Sequence, residues 1–417
     1  MARLLRRILL VIVGALLAAI AFDAVTYDAR AWQADYARLK RDMAQGYANL
    51  DWIATHRHLD LAALDRRTTA DIDGAHSRVR AFLALRRFVK AFNDPHLHLV
   101  PGKRPIAEPA RVAVAEGPSM AVAATAGAGV SAAGAPAVAD DPPAGKDCAA
   151  AGYQEGDHGF RFPFAQAPGW QAVGSGDFPT GMIGDLGVLR IAQFGEDRYA
   201  AACRQVFRPG IGQRALQLAV RALQQRRLAD AIGTLKSRGA RRLLVDVTGN
   251  GGGTEWVSEV VAMFTDRTLS RAQPRLVVPA CDRSIVWSGA PAPCAILEPA
   301  GERATLQGSG VWTGPLLILA DRGTGSASED FLAWLQQNQV ARVLGETSVG
   351  AGCGYVNGGG RTPFRASPFD VRMPNCARFL DDGTNEIEGI TPDLPLPMQG
   401  DAAVQASALL AAVGQET

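Results

Sequence analysis

The sequence predicts an α/β protein built on parallel strands, with a helical region ahead of it. Two observations carry this. From Leu186 onward, short apolar runs alternate with amphipathic ones: "LGVLRIAQF", "ALQLAVRALQQRRLADAIGTLKSRG", "RRLLVDV", a helix from Thr254 to Phe264, "PLLILA", a helix from Ser326, then "ARVLGET". Strands alternating with helices pair in parallel, because each helix carries the chain back to the edge where the next strand starts. Upstream, Trp32, Tyr36, Leu39, Met43, Tyr47 and Leu50 recur every three or four positions, and Val79, Phe82, Phe88, Val89 and Phe92 do much the same. Residues 28–93 are therefore mostly helical, and this N-terminal region extends to residue 100. It closes on "NDPHLHLVPG", where Pro95 disfavours helix at Asp94.

The first residues read "MARLLRRILLVIVGALLAAIAFDA", three arginines ahead of an apolar run from Ile8 to Phe22 with "AIA" at its end. This is the pattern of an export signal over residues 1–22. The run is shorter than the roughly 20 residues that span a bilayer, which favours a cleaved signal over a retained membrane anchor. Export would leave the protein periplasmic, or anchored and facing the periplasm. There, Cys148, Cys203, Cys281, Cys294, Cys353 and Cys376 meet oxidising conditions. Disulfides are the default for such an even count, and no C-x-x-C spacing points to zinc. By proximity Cys281 pairs with Cys294 and Cys353 with Cys376, which leaves Cys148 for Cys203.

Composition narrows the function. The 417 residues, 47% hydrophobic and 20% charged, suffice for a sizeable core and exceed one typical domain. Forty-three basic against 41 acidic residues leave a net charge of +2, with no basic run beyond the first seven residues. Nucleic acid is not an expected partner. Between residues 101 and 152 the chain turns to Ala, Gly, Pro and Val, as in "AVAATAGAGVSAAGAPAVADDPPAG", the composition of a linker or disordered insertion. The α/β domain then occupies residues 153–417, opening with the aromatic and proline-rich "GFRFPFAQAPGW", read as short irregular strands over the core.

Two turns in that domain carry chemistry. "RRLLVDVTGNGGGTEWVSEVVAMF" ends a buried strand at Val247 and enters a helix through Gly249 to Gly253. Glycines let a backbone approach a ligand and turn its N–H groups toward it, beside the positive end of a helix dipole. Neither a P-loop Lys-Ser/Thr nor G-x-G-x-x-G is present, so a phosphate loop is not indicated. Alone, this would be an ordinary tight turn. About 70 residues later "PLLILADRGTGSASED" repeats the geometry with hydroxyls in place of glycines. A serine opening a helix is ordinarily an N-cap, and no G-x-S-x-G elbow surrounds it. Two such turns on parallel strands, however, converge at one sheet edge, where open α/β sheets bind ligands. One would offer oxyanion donors, the other a nucleophile.

Together these segments resemble the S41 serine peptidases, the family of C-terminal processing (tail-specific) proteases and the tricorn core, whose fold is related to that of ClpP and crotonase. "LLVDVTGNGGG" resembles the family's strand-Asp-x-Arg-x-Asn-x-Gly-Gly segment, "GTGSASE" its Ser-Ala-Ser-x-Ser-Glu, "VLGETSVGAG" its Gly-Glu-x-Thr-x-Gly-x-Gly, and "GITPDLPL" its closing Gly-Val-x-Pro-Asp. These lie in family order across residues 186 to 396, and "DPHLHL" is similar to the N-terminal part. The resemblance implies a ClpP/crotonase-like catalytic core and peptide-bond hydrolysis, with a protein or peptide as substrate and neither metal nor organic cofactor. It makes Ser326 the nucleophile, three residues before Glu329, with Ser328 a helix cap. The Ala327 N–H, with that of Gly252 or Gly253, becomes the oxyanion hole.

One departure bears on mechanism. Tail-specific members take their general base from a lysine 25 positions after the serine, and that position here is Ala351. A serine hydroxyl still needs a base. The tricorn-like branch uses the His of the Asp-x-His segment, here His96, oriented by a Glu near the closing motif. "NEIEGITPD" offers Glu386 as the best match and Glu388 as the alternative, although Pro95 stands where the tricorn-type site has a serine. His98 alternates with His96, so on a strand the two would face opposite sides. No PDZ domain is evident, and tail specificity is not inherited with the fold. The expected protein is an exported serine endopeptidase with a Ser326, His96, Glu386 triad. Its rival is an inactive relative that binds peptides in the cell envelope.

Overall fold

The computed structural model describes residues 13–14, 22–102 and 141–414. Most of the apolar part of the export segment and most of the Ala/Gly/Pro-rich stretch lie outside those residues. The described chain forms two compact units. One gathers the N-terminal helices with residues 275–299 and 354–377; the other holds the remainder, 141–274, 300–353 and 378–414.

In the first unit, α1 (Ala29–Gly46), α2 (Leu50–His56), α3 (Leu61–Asp73) and α4 (Arg78–Lys90) occupy the region whose periodicity predicts helix. Side chains cap three of them: Asp28 accepts from the Arg30 and Ala31 N–H groups, Asp60 from Ala63, and Ser77 from Arg80. These bonds satisfy donors that the first helical turn leaves without partners. Trp32, Tyr36, Leu39 and Met43 are buried along one face of α1. Against this bundle come segments distant in sequence. Strands His98–Pro101, Phe369–Met373 and Gly360–Thr362 make an antiparallel sheet with Phe369–Met373 at its centre. The buried Asp35 of α1 accepts the N–H groups of Arg365 and Ala366, and Arg283, fully buried, donates from Nε to the Ala44 carbonyl at 2.9 Å. The Cys281–Cys294 disulfide closes the loop that carries Arg283.

The second unit is built on a seven-stranded sheet. Its strands are β1 (Trp170–Gly174), β2 (Thr180–Ile183), β3 (Leu186–Arg190), β4 (Arg242–Asp246), β5 (Leu316–Ala320), β6 (Ala341–Gly345) and β7 (Leu394–Pro395). They lie side by side in chain order. From β3 to β7 all pairings are parallel, while β1 and β2 add an antiparallel edge. The apolar run "PLLILA" is buried throughout as β5 because both faces of the sheet are covered. Leu243, Val245, Leu316, Ile318 and Val343 face a core shared with α5 (Gln213–Ser237), α6 (Trp256–Met263) and α7 (Ala327–Gln337). The intervening Leu244, Leu317, Leu319 and Leu344 face the opposite core, with Phe162, Phe164 and Leu409. Alternate residues of one strand thus serve two layers. The aromatic segment around Phe164 makes a 3-10 turn (Phe164–Gln166) leading into β1, and covers the sheet face away from α5 to α7. Residues 141–152, at the end of the stretch with linker composition, are held in place here, with Ala144 buried and Cys148 bonded to Cys203.

Candidate active site

The two turns singled out by the sequence follow the adjacent parallel strands β4 and β5, and hydrogen bonds stitch them together. Thr324 donates from Oγ1 to the Val247 carbonyl at 3.0 Å, the Gly325 N–H reaches the Asn250 carbonyl at 3.0 Å, and the Gly249 N–H reaches Asp321 Oδ1 at 2.6 Å. Asn250 is itself buried and donates from Nδ2 to the Ile191 carbonyl on the neighbouring strand's extension. Asp246 is fully buried against Arg190 and Thr248, and burial pushes its carboxyl up.

Ser326 opens α7 with φ 56° and ψ −117°, a backbone conformation an L-residue adopts only when its surroundings impose it. Its N–H donates to Glu329 Oε2 at 2.9 Å, and its carbonyl accepts from Arg378 Nη2 at 2.7 Å. Beside it lies Gly252. A Cβ at that position would stand 2.7 Å from the Ala327 nitrogen and 2.8 Å from Ser326 Cβ, so only glycine fits. The backbone N–H of Ala327 therefore lies against bare Gly252 rather than a side chain. The Gly252 N–H is taken by Asn250 Oδ1 at 2.9 Å, which favours Gly253 over Gly252 as the glycine-turn donor.

Glu329 is the hub of this neighbourhood. Fully buried, it accepts from Ser348 Oγ at 2.6 Å and from the N–H groups of Gly350, Ala351 and Gly352 at 2.7, 2.9 and 2.8 Å, in addition to Ser326. Burial pushes its carboxyl upward, and the charge of Glu386 adds to this, against the opposing pull of Ser348 and the backbone donors. Ala351 is buried in that loop. Ser328, expected as the helix cap, is instead the second residue of the helix and fully buried, its Oγ without a hydrogen-bond partner among the described residues; Ser326 holds the N-cap position.

Glu386 begins the 3-10 turn Glu386–Glu388 and is fully buried. Both its oxygens are engaged: Oε1 by Arg271 Nη2 and Oε2 by Arg378 Nε. Burial alone would raise this carboxyl, but Arg378 and Arg271 outweigh it and hold it below the ordinary glutamate range. Arg378 shows the converse: burial opposes its charge, and Glu386 and Asp330 restore it. Glu388, at the other end of the turn, is exposed. Neither arginine carries a motif signal; Arg271 lies 115 residues before Glu386 in sequence.

His96 belongs to the first unit. It sits half-buried between α4 and the strand His98–Pro101, its N–H bonded to Asp94 Oδ1 at 2.8 Å. Asp94 Oδ2 accepts from Tyr47 and Asn49 at 2.8 and 3.0 Å, so the acid of "DPH" shapes the turn that presents the histidine. The imidazole packs edge-on to Tyr355 at 5.0 Å between ring centres, and Tyr355 donates its hydroxyl to the His96 carbonyl. Gly354 lies under the imidazole, where a Cβ would come within 2.7 Å of the ring. His98 approaches the Tyr355 hydroxyl through Nδ1 at 3.3 Å. Tyr355 and Gly354 escaped sequence reasoning because nothing local ties them to a histidine more than 250 positions earlier. Among the described residues, no cluster of His, Cys, Asp and Glu is arranged to hold a metal ion.

The model of peptidase family S41 matches residues 185–396, half of the chain. The chain belongs to peptidase family S41. Solved structures agree on the fold. A protein of Parabacteroides merdae ATCC 43184 described as a peptidase superposes with a TM-score of 0.55 at 14% identity, over 92% of this chain and 96% of that one. Mature CPAF complexed with lactacystin gives 0.56 at 14% identity, over 93% and 97%. At such identities the likeness is one of fold. No curated protein matches. Within this S41 chain the turns after β4 and β5, Glu329 and the loop through Ala351 all fall inside the matched span.

Proposed function

We propose that the protein is an exported serine-type endopeptidase that cleaves peptide bonds through an acyl-enzyme on Ser326. His96 takes the hydroxyl proton as Ser326 Oγ attacks the scissile carbonyl, and the N–H groups of Ala327 and Gly253 receive the oxyanion. The imidazolium returns the proton to the departing amine, and water then repeats the cycle on the ester. A carboxylate of the Glu386–Glu388 turn is assigned to orient the imidazole. Glu386 is the assigned residue, its oxygens also engaged by Arg271 and Arg378, and the exposed Glu388 is the alternative. The chemistry calls for no metal or organic cofactor.

The observation that carries this reading is the backbone of Ser326, held at φ 56° where its own helix needs no such distortion, with Gly252 beside the Ala327 nitrogen. An ordinary N-cap requires neither. Export is supported by the N-terminal sequence and by the cysteines: Cys148–Cys203 and Cys281–Cys294 are disulfides, Cys353 and Cys376 are also disulfide-bonded, and none of the six is free. Such bonds persist in oxidising compartments. Ala351 favours a second reading, a peptide-binding protein without turnover. Incubating the purified protein with a diverse peptide mixture and following fragments by mass spectrometry separates the two. Cleavage by the wild type and none by Ser326→Ala supports the enzyme; equal fragment patterns, or none from either, count against it.

A further inference from the structure

We propose that Arg378 is a positioning residue for the Ala327 N–H, setting the oxyanion hole from behind; this rests on the serine-peptidase reading above. Arg378 is buried in the second unit, its side chain 9% exposed. One nitrogen, Nη2, donates to two carbonyls, Ser326 at 2.7 Å and Gly352 at 2.9 Å. The peptide joining Ser326 to Ala327 is planar and trans, so its C=O and N–H point in opposite directions. Fixing the carbonyl on the Arg378 side fixes the N–H on the Gly252 side.

The Ser326 carbonyl also accepts the ordinary first-turn donors, Glu329 and Asp330 N–H at 3.0 and 3.2 Å. Those bonds belong to any helix start. Arg378 adds a charged donor from outside the helix, shorter than either, and charge-assisted bonds are the stronger kind. Withdrawing electron density through the carbonyl also makes the opposite N–H a better donor, since bonds in a chain polarise one another. The second bond, to Gly352, ties the same guanidinium to the loop that Glu329 holds.

A buried guanidinium needs counter-charge, and this gives Glu386 a reason to be where it is. It bonds Arg378 through Oε2 at 2.5 Å, while Arg271 holds its Oε1 and also pairs with Asp330. Glu386 is thus the anchor of the arginine that grips the nucleophile turn.

The test is the kinetics of fluorophosphonate labelling in the wild type, Arg378→Ala and Arg378→Lys, with a thermal melt of each. In this reaction Ser326 Oγ forms the P–O bond, fluoride leaves, and the base takes the hydroxyl proton; the phosphoryl oxygen occupies the oxyanion hole. Losing one oxyanion donor typically costs about 100-fold or more in rate. Arg378→Ala is expected to approach that loss in the maximal labelling rate with the probe's half-saturation unchanged, and Arg378→Lys to fall between it and wild type. A merely structural role would reduce the folded fraction and leave the rate of the folded molecules alone. Wild-type rates in folded Arg378→Ala overturn the proposal; if that variant does not fold, wild-type rates in Arg378→Lys do so. An unlabelled wild type is a different result, which defeats the assignment of Ser326 itself and takes this inference with it.

Discussion

Glu329 holds Ser326 by its backbone: Oε2 accepts the Ser326 N–H at 2.9 Å and, through the same oxygen, the Ala351 N–H at 2.9 Å. One carboxylate therefore joins the turn that presents Ser326 to the loop that carries Ala351. The glutamate of "GTGSASE" reads from sequence as the return half of a capping box. Its larger task is to satisfy a loop that makes no strand or helix of its own.

Replacing Glu329 by Gln turns one acceptor oxygen into a donor facing buried N–H groups. A buried polar group left without its partner costs about 1–3 kcal/mol. Glu329→Gln is expected to lose stability in that range by urea denaturation and to label more slowly at Ser326. A variant as stable and as fast as wild type would show that the loop does not depend on this carboxylate.

His96→Ala should lower turnover about 1000-fold, within the span of general acid–base catalysis, while His98→Ala leaves it near wild type. Among the described residues, the His98 imidazole meets the Tyr355 hydroxyl and ring and the Pro95 carbonyl. Equal losses in kcat at both positions would reopen the choice of base.

Ala351→Lys in the His96→Ala background tests whether the lysine geometry survives. A Cβ built on Gly325 would lie 3.6 Å from Ala351 Cβ, so a lysine stem starting there runs beside the residue preceding Ser326. Partial recovery of labelling relative to His96→Ala alone is expected. No recovery, with the fold intact, would mean that this loop no longer aims at the serine.

Glu386 gives a pH signature. Its carboxyl lies below the ordinary 4.5 in the folded protein, because Arg378 and Arg271 outweigh burial. Folding then favours the ionised form: the stabilisation is complete above the unfolded value and is lost as pH falls through the lower folded one. Glu386→Gln leaves two buried arginines under-compensated, a loss of about 3–5 kcal/mol for a broken buried pair. The gap between wild type and variant should narrow as urea melts are taken below pH 4.5. A gap independent of pH would exclude this linkage.

Much of the second unit was legible in the sequence. Apolar runs such as "PLLILA" announce strands covered on both faces, and the glycine and serine turns fall directly after β4 and β5 because motif and strand are contiguous. What escaped depends on long-range contact. Nothing around residues 275–299 or 360–373 says that they pack with helices formed near residue 40; the reasons are single polar groups, Arg283 seeking Ala44 O and Asp51, and Asp35 capping Arg365 and Ala366. Glu386 was readable as an acid in the right segment. Its partners were not, since Arg271 and Arg378 carry no pattern and meet it only through folding.

The most direct measurement is intact-mass analysis after a fluorophosphonate probe, followed by peptide mapping, on wild type, Ser326→Ala and His96→Ala. One adduct on wild type, located on Ser326 and absent from both variants, is the expected result. An unlabelled wild type with its fold intact would contradict it, and would favour the reading of a peptide-binding protein without turnover.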